Sequence, residues 1–389
     1  DDDLGYACDI SFPSLVSPPP VPRSFFALPT SNGFVSATYA IDLRDMPVTF
    51  AGNTPGTMDL QHRLITFTEH IMAEPTPGAY TRDLLFDLFL GLRVDGQGTW
   101  LGDVAEIEAG YVPGTGIVHL IQPVGDVQVE TYLFAPMHGE SQALVVVGHV
   151  TNNGAPAVVD LYSLQNFHTG GEGTADSESV AVQGSAGIVE SRGSDRLYHR
   201  SLGQPSHFSA APGGDAAHNP WMLLTAGQDL SDQLISGDDV AVGFQWSAGT
   251  LATGGDAWVG MVIGLNGGGE DAAALAARVD GFVAGRSASE LVDDEAEFWD
   301  DYHAVETPPA GLSVDEQAVY RQSTAVLKMG QVREPGPGYG QILASLPPGG
   351  WNISWPRDAA YAIVAQAHAG HHDEARDALQ FQINGDAGT

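Results

Sequence analysis

The sequence predicts a multidomain β + α protein: a large antiparallel β-sandwich, then a helical linker, then paired helices of α/α-barrel type. Three observations carry this expectation. Between about residue 36 and residue 265 short β-type runs alternate with Gly, Asn, Asp and Pro, and no helical period interrupts them. Near Glu270 the spacing of apolar residues changes to that of helices. Finally, the almost wholly apolar segment Ala359 to Ala369 is followed by an amphipathic one from His372. That succession is expected of an inner and an outer helix.

Residues 1 to about 35 contain Pro18-Pro19-Pro20 and Pro22 and read as an extended lead-in to the sandwich domain, set at 1–269. Its expected strands include Val35 to Ala40, Leu84 to Leu92, Ile117 to Leu120, Val127 to Tyr132, Ala143 to Val150, Val158 to Tyr162 and Trp258 to Ile263. The linker, 270–311, holds an Ala-rich helix over Asp271 to Val283, with Leu275, Val279 and Phe282 at helical spacing. A second, acidic helix runs from Ser289 to Tyr302, and Thr307-Pro308-Pro309 interrupts.

From 312 to 389 three helices are expected. Ser313 and Glu316 form a capping box for the first, which should run to about Val332 before Glu334-Pro335-Gly336-Pro337-Gly338. Pro356 suits the first turn of the second and Gly370 its left-handed end. So apolar a helix should be buried on nearly every face. The third should bury Ala375, Leu379 and Ile383 on one stripe.

The chain has 389 residues and 43% hydrophobic content, enough for two well-developed cores. Its 49 acidic and 15 basic residues give a net charge of −34, and Lys328 is the single lysine. This field repels nucleic acid and anionic membrane, and no run approaches the roughly 20 apolar residues of a membrane helix. Neither partner is expected, whereas a neutral glycan is compatible. The Asp-rich surface fits either a salty habitat or a simply soluble acidic protein. The lone Cys8 gives no intramolecular disulfide, and Asp1-Asp2-Asp3 is opposite in sign to the start of a secretory signal.

The most chemically pointed stretch is Gly349-Gly350-Trp351-Asn352-Ile353-Ser354-Trp355-Pro356-Arg357-Asp358. It brings two indoles, a guanidinium and a carboxylate to a helix start. A pyranose can lay its C–H face on an aromatic ring while charged groups bond its hydroxyls. Arg357 and Asp358 could equally cap the helix, with Trp355 filling a core. The choice is sharpened by the blocks Tyr320 to Lys328, Gln341 to Ser345 and Trp355 to Asp358. Their order and spacing resemble the start of the catalytic domain of bacterial glucoamylases and glucodextranases, glycoside hydrolase family 15.

The resemblance implies a β-supersandwich, a helical linker and the first part of an (α/α)6 barrel. It implies an inverting exo-acting hydrolase that releases glucose from the non-reducing end of α-glucosides. Trp355, Arg357 and Asp358 would then line the subsite for the terminal glucose, with Trp351 beside the reacting centre. The family has Tyr at the position of Trp351, and an indole N–H donates but cannot accept. Inverting hydrolysis needs two carboxyl groups about 6.5–9.5 Å apart. In the family these are Glu residues later in the barrel, so no catalytic residue is expected in this chain. A second polypeptide is expected to complete the barrel, with Gly385 to Thr389 as a nicking loop cut by an external protease or by self-cleavage, the former favoured because nothing nearby resembles an activated nucleophile with its base. Relatives that degrade polymers imply a secreted or periplasmic location.

No cofactor and no metal site is expected, since H-E-x-x-H and a Cys cluster are both missing. Asp238-Asp239 and Asp293-Asp294 could join a structural calcium site, or be solvated surface charge. His371-His372 reads as a polar helix start. Other readings are a sugar phosphorylase or polysaccharide lyase of similar architecture, and a non-catalytic carbohydrate-binding module. Sugar, linkage and oligomeric state stay open.

Overall fold

A computed structural model describes residues 27–40, 65–70, 81–139, 142–169, 177–184, 186–266, 269–336, 338–346 and 354–384. Trp351, most of the Pro-rich lead-in with Cys8, and Gly385 to Thr389 lie outside them.

Two antiparallel sheets face each other. The larger has nine strands in the order Gly237–Asp238, Ser177–Gln183, Gly187–Arg192, Asp195–Leu202, Asp256–Leu265, Ala143–Asn152, Val127–Phe134, Val118–Val124 and Glu108–Tyr111. The other has five: His207–Pro212, Val240–Leu251, Ala157–Phe167, Leu85–Val94 and Gln97–Trp100. A further sheet of four strands, Ala27–Ser31, Val35–Ala40, Ile65–His70 and Thr81–Asp83, adds Leu28, Val35, Ala37 and Tyr39 to the same core.

Side chains alternate across a strand, so each strand feeds two layers. Leu133, Leu144, Val146, Met261 and Ile263 point inward against Leu88, Leu90, Leu161, Val242 and Phe244 of the facing sheet. Fully burying one such side chain contributes about 1.5–3 kcal/mol. The alternate residues Phe134, Val145, Val147 and Val262 are covered on the outside by the helices Ala272–Val283 and Ala288–His303. Burial on both faces explains the unbroken apolar runs Ala143 to Val147 and Val259 to Ile263.

Among the described residues the six helices are α1 (Pro220–Thr225), α2 (Ala272–Val283), α3 (Ala288–His303), α4 (Val314–Met329), α5 (Pro356–Ala369) and α6 (His372–Asn384). The short α1 covers the outer face of the five-stranded sheet, setting Leu223 and Leu224 against Phe89, Trp100 and Tyr162. Sequence periodicity did not reveal it. Its one signal is the cap, since the Asn219 side chain accepts from Trp221 N at 3.0 Å and Pro220 holds the first position.

The expected capping box forms: Ser313 N donates to Glu316 Oε2 at 2.7 Å, and Glu316 N to Ser313 Oγ at 3.3 Å. Ser287 and Glu290 form a second one on α3. Pro356 and the left-handed Gly370 bound α5 as expected. Three expectations are corrected. Helix α4 stops at Met329, because Gly330 caps it and the chain turns into a bridge between Gln331 and Ile342. Helix α6 buries Ala375, Ala378 and Phe381, leaving Leu379 and Ile383 exposed, because small Ala residues allow the closest approach to α5. Helix α5 buries only Ala359, Ala362, Gln366 and Ala369. Its opposite face, with Tyr361 74% and Val364 54% exposed, is uncovered by any described residue.

The helices dock on the sandwich at defined points. Arg333 N donates to Gly33 O at 3.0 Å, and Arg333 Nη1 to Asn32 O at 3.3 Å and Met137 O at 3.2 Å. Gly33 is left-handed, and a Cβ there would lie 2.3 Å from Gln331 O, so only glycine fits. On α3, buried Glu295 accepts from Met137 N at 2.9 Å, His138 Nδ1 at 2.7 Å and Trp299 Nε1 at 3.0 Å.

Candidate functional site

The candidate site is the N-terminal end of α5. Trp355 is in extended conformation (φ −113°, ψ 125°), and its carbonyl accepts from Ala359 N at 2.8 Å, so the chain enters the helix directly behind the indole. Pro356 supplies a fixed φ where no N–H is needed. Arg357 and Asp358 follow, with Arg357 Nη2 3.3 Å from Asp358 Oδ2 and 3.5 Å from Oδ1.

Beneath them the support is rigid. Ala362 packs with Ile342 and Ala378, and Ser354 Oγ accepts from Gln382 Nε2 at 2.9 Å, tying the incoming loop to α6. The loop from α4 is pinned by Val332 N to Gln341 O at 2.8 Å and Leu343 N to Gly330 O at 2.9 Å. Gln331 Nε2 donates to Glu374 O at 2.9 Å, and Lys328 Nζ sits 2.8 Å from Glu374 Oε1.

Of the four residues singled out by sequence, Trp355, Arg357 and Asp358 follow one another at the start of α5, where Arg357 contacts Asp358; Trp351 is outside the described residues. The Arg357 side chain is 82% exposed and that of Asp358 42%. An ion pair this open contributes only about 0–1 kcal/mol to stability. The pair is neither buried nor a stabilising cap, and its donors and acceptors are free to meet a hydroxylated ligand.

Other charged groups are committed elsewhere. Inside the sandwich, fully buried Glu190 and His199 link the sheets: His199 Nε2 lies 2.9 Å from Glu190 Oε2, and Nδ1 lies 2.6 Å from Gln165 Oε1. Burial pushes His199 down to about 3, and burial beside Glu178 pushes Glu190 well above the usual carboxylate range. The ring is therefore neutral and donates from Nδ1 to Gln165, while Glu190 carries the proton shared with Nε2. Asp239 accepts from Asn166 Nδ2 at 2.9 Å and lies 3.4 Å from His168 Nε2, and Asp294 pairs with Arg286 at 2.8 Å. Among the described residues no three His, Cys, Asp or Glu are grouped to hold a metal ion, and no helix is long and apolar enough to cross a membrane.

Sequence reasoning missed one cluster altogether. His303, Glu306, Thr324 and His371 converge from α3, the linker, α4 and the α5–α6 turn. His371, read as a polar helix start, is buried against Glu306; only exposed His372 fits that description. The signal available was weak, since these residues are up to 68 positions apart (371 − 303).

With the fold and site in hand, the chain can be compared with known proteins. No family model and no curated protein sequence matches it. Among solved structures it is similar to a bacterial glucoamylase complexed with acarbose: TM-score 0.57 at 13% identity, covering 77% of this chain and 44% of that one. It also matches an inverting GH92 mannosidase from Bacteroides thetaiotaomicron, with TM-score 0.43 at 11% identity, over 76% of this chain and 35% of that one. The fold is glucoamylase-like, a multidomain arrangement of β sheets and helices. The chain spans less than half the length of the glucoamylase it resembles.

Proposed function

We propose that this chain is the N-terminal part of a glucoamylase-type, inverting exo-glycosidase that releases glucose from the non-reducing end of α-glucosides. The observation that carries the reading is the open Trp355, Arg357 and Asp358 group at the start of α5, in a glucoamylase-like fold. Trp355 provides a ring face for the terminal sugar, Arg357 donates to its outer hydroxyls, and Asp358 accepts from them. Trp351 would stand nearer the bond to be broken. The general acid and base would come from later barrel helices.

Those helices have a surface to cover, the exposed face of α5 with Tyr361 and Val364. We assign them to further polypeptide, carried on a longer form of the chain or as a second chain. A polymeric glucan substrate would fit a secreted or periplasmic location.

The test is titration of the purified protein with acarbose and maltose by calorimetry, beside glucose release from α-glucans. Arg357→Ala and Asp358→Ala should each weaken binding about tenfold or more, by loss of charge-assisted bonds. Unfolding should shift by less than about 0.5 kcal/mol, since both side chains are exposed. Unchanged affinity in both variants would sink the subsite. Phosphate-dependent sugar release would assign a phosphorylase instead, and an unsaturated ultraviolet-absorbing product a lyase.

A further inference from the structure

We propose that a row of four rings on the outer face of the nine-stranded sheet, ending at Trp258, is a carbohydrate-binding surface of its own, which takes a neutral polysaccharide. The row is built by register. His149 stands opposite Glu130 on one side and Trp258 on the other, and His119 stands opposite Tyr132. Alternation along the strands sends all five side chains to the outer face. The ring centroids of His119 and Tyr132 are 4.7 Å apart, those of Tyr132 and Trp258 5.8 Å, and those of Trp258 and His149 4.1 Å, with each pair within 18° of parallel. The row crosses four neighbouring strands, three spacings of about 4.8 Å, which suits a run of sugar units rather than one.

The polar groups of the row are fixed in place. Glu130 Oε2 accepts the Tyr132 hydroxyl at 3.0 Å and lies 3.2 Å from His119 Nε2, while Oε1 is 3.8 Å from His149 Nδ1. Asp256 Oδ2 lies 3.0 Å from His149 Nε2. Each ring except the indole is thus tied to a carboxylate, and among the described residues nothing accepts from Trp258 Nε1 or engages Asp256 Oδ1.

Next to the row the same sheet face is closed. Helices α2 and α3 cover Phe134, Val145, Val147 and Val262, and Tyr132 packs at the margin of that cluster. They do not extend over Trp258, which keeps 36% of its surface exposed; among the described indoles only Trp355 shows more. His149 lies close against the indole, but Tyr132 at 5.8 Å is too far to overlap it fully. Ring pairing across strands accounts for about 0.2–1 kcal/mol of sheet stability. It does not require the largest ring to face water.

The chemistry of the row selects a neutral glycan. The indole offers apolar surface to the C–H face of a pyranose and an N–H to its hydroxyls, and Asp256, 52% exposed, accepts from them. A protein partner would have to strip water from both carboxylates, whereas sugar hydroxyls replace that water. An anionic polymer is repelled by the same carboxylates and by the net charge of −34. None of these residues belongs to the Trp355, Arg357 and Asp358 group, so the surface stands or falls independently of the subsite there.

Native electrophoresis of the full chain in gels containing soluble amylopectin, dextran or galactomannan tests this, with mobility against polymer concentration giving a dissociation constant. The wild type should be retarded by at least one of the three. Trp258→Ala should raise that constant about tenfold or more, by loss of the ring, and Asp256→Ala about threefold, by loss of an acceptor. The combined Arg357→Ala and Asp358→Ala variant should keep the retardation that depends on Trp258. Retardation lost in that combined variant but kept in Trp258→Ala would put binding at α5 and overturn this surface while leaving the catalytic reading intact. No retardation of the wild type by any of the three polymers overturns it too, as does Trp258→Ala migrating like the wild type. Should Trp258→Ala not fold, Asp256→Ala migrating like the wild type does so in its place. Quenching of indole fluorescence by spermine without a response to any polymer would assign a cation site instead.

Discussion

Gln366 is fully buried on α5, and neither atom of its amide has a hydrogen-bond partner among the described residues. An orphaned buried polar group costs about 1–3 kcal/mol. Gln366→Leu, close in volume, should therefore raise the unfolding free energy by about 1–2 kcal/mol in chemical denaturation; a loss instead would reveal a partner for the amide. Such a residue could not be found by pattern, since Gln in an otherwise apolar segment reads as its solvent edge. The Trp355, Arg357 and Asp358 group was legible because contiguous residues at a helix start must stay together. The His303 and Glu306 pair of ties was not, because its partners come from four separate elements.

Among elements, those with caps could be read most closely. Ser313 and Glu316 fixed the start of α4, and Gly370 the end of α5. Gly370 has φ 108°, and a Cβ there would lie 2.7 Å from Val305 O. Gly370→Ala should thus cost more than the roughly 1 kcal/mol of left-handed strain alone, because backbone cannot move aside as a side chain can. A midpoint unchanged in urea would contradict that. Helix α6 shows the limit of periodicity. Leu379 and Ile383 continue the stripe from Ala375 as well as Ala378 and Phe381 do, yet the approach of α5 at Ala378 selected the second set for burial. For α1, six residues are too few to show a period, and only its Asn219-Pro220 cap was visible.

For the molecule as a whole, the uncovered face of α5 is the feature with most consequence. Exposed Tyr361 and Val364 add little to the stability of this chain, so Tyr361→Asp with Val364→Asp should leave its unfolding within about 0.5 kcal/mol of wild type. If, as proposed, a second polypeptide supplies the later helices, the same pair should abolish its co-purification; assembly at wild-type yield would show that this face is not where it docks. The sequence by itself determined the alternation of strands and turns, the change to helices near residue 270, the capped helix starts and the cluster of Trp355, Arg357 and Asp358. All of these rest on neighbours within a few positions, where backbone geometry alone decides what can meet. Only the tertiary structure decided which faces of α5 and α6 are buried, that His371 and Glu306 form a hub, and that Arg357 and Asp358 stand open to solvent. Burial and proton sharing depend on segments that approach in space from far along the chain, and no local period records that approach.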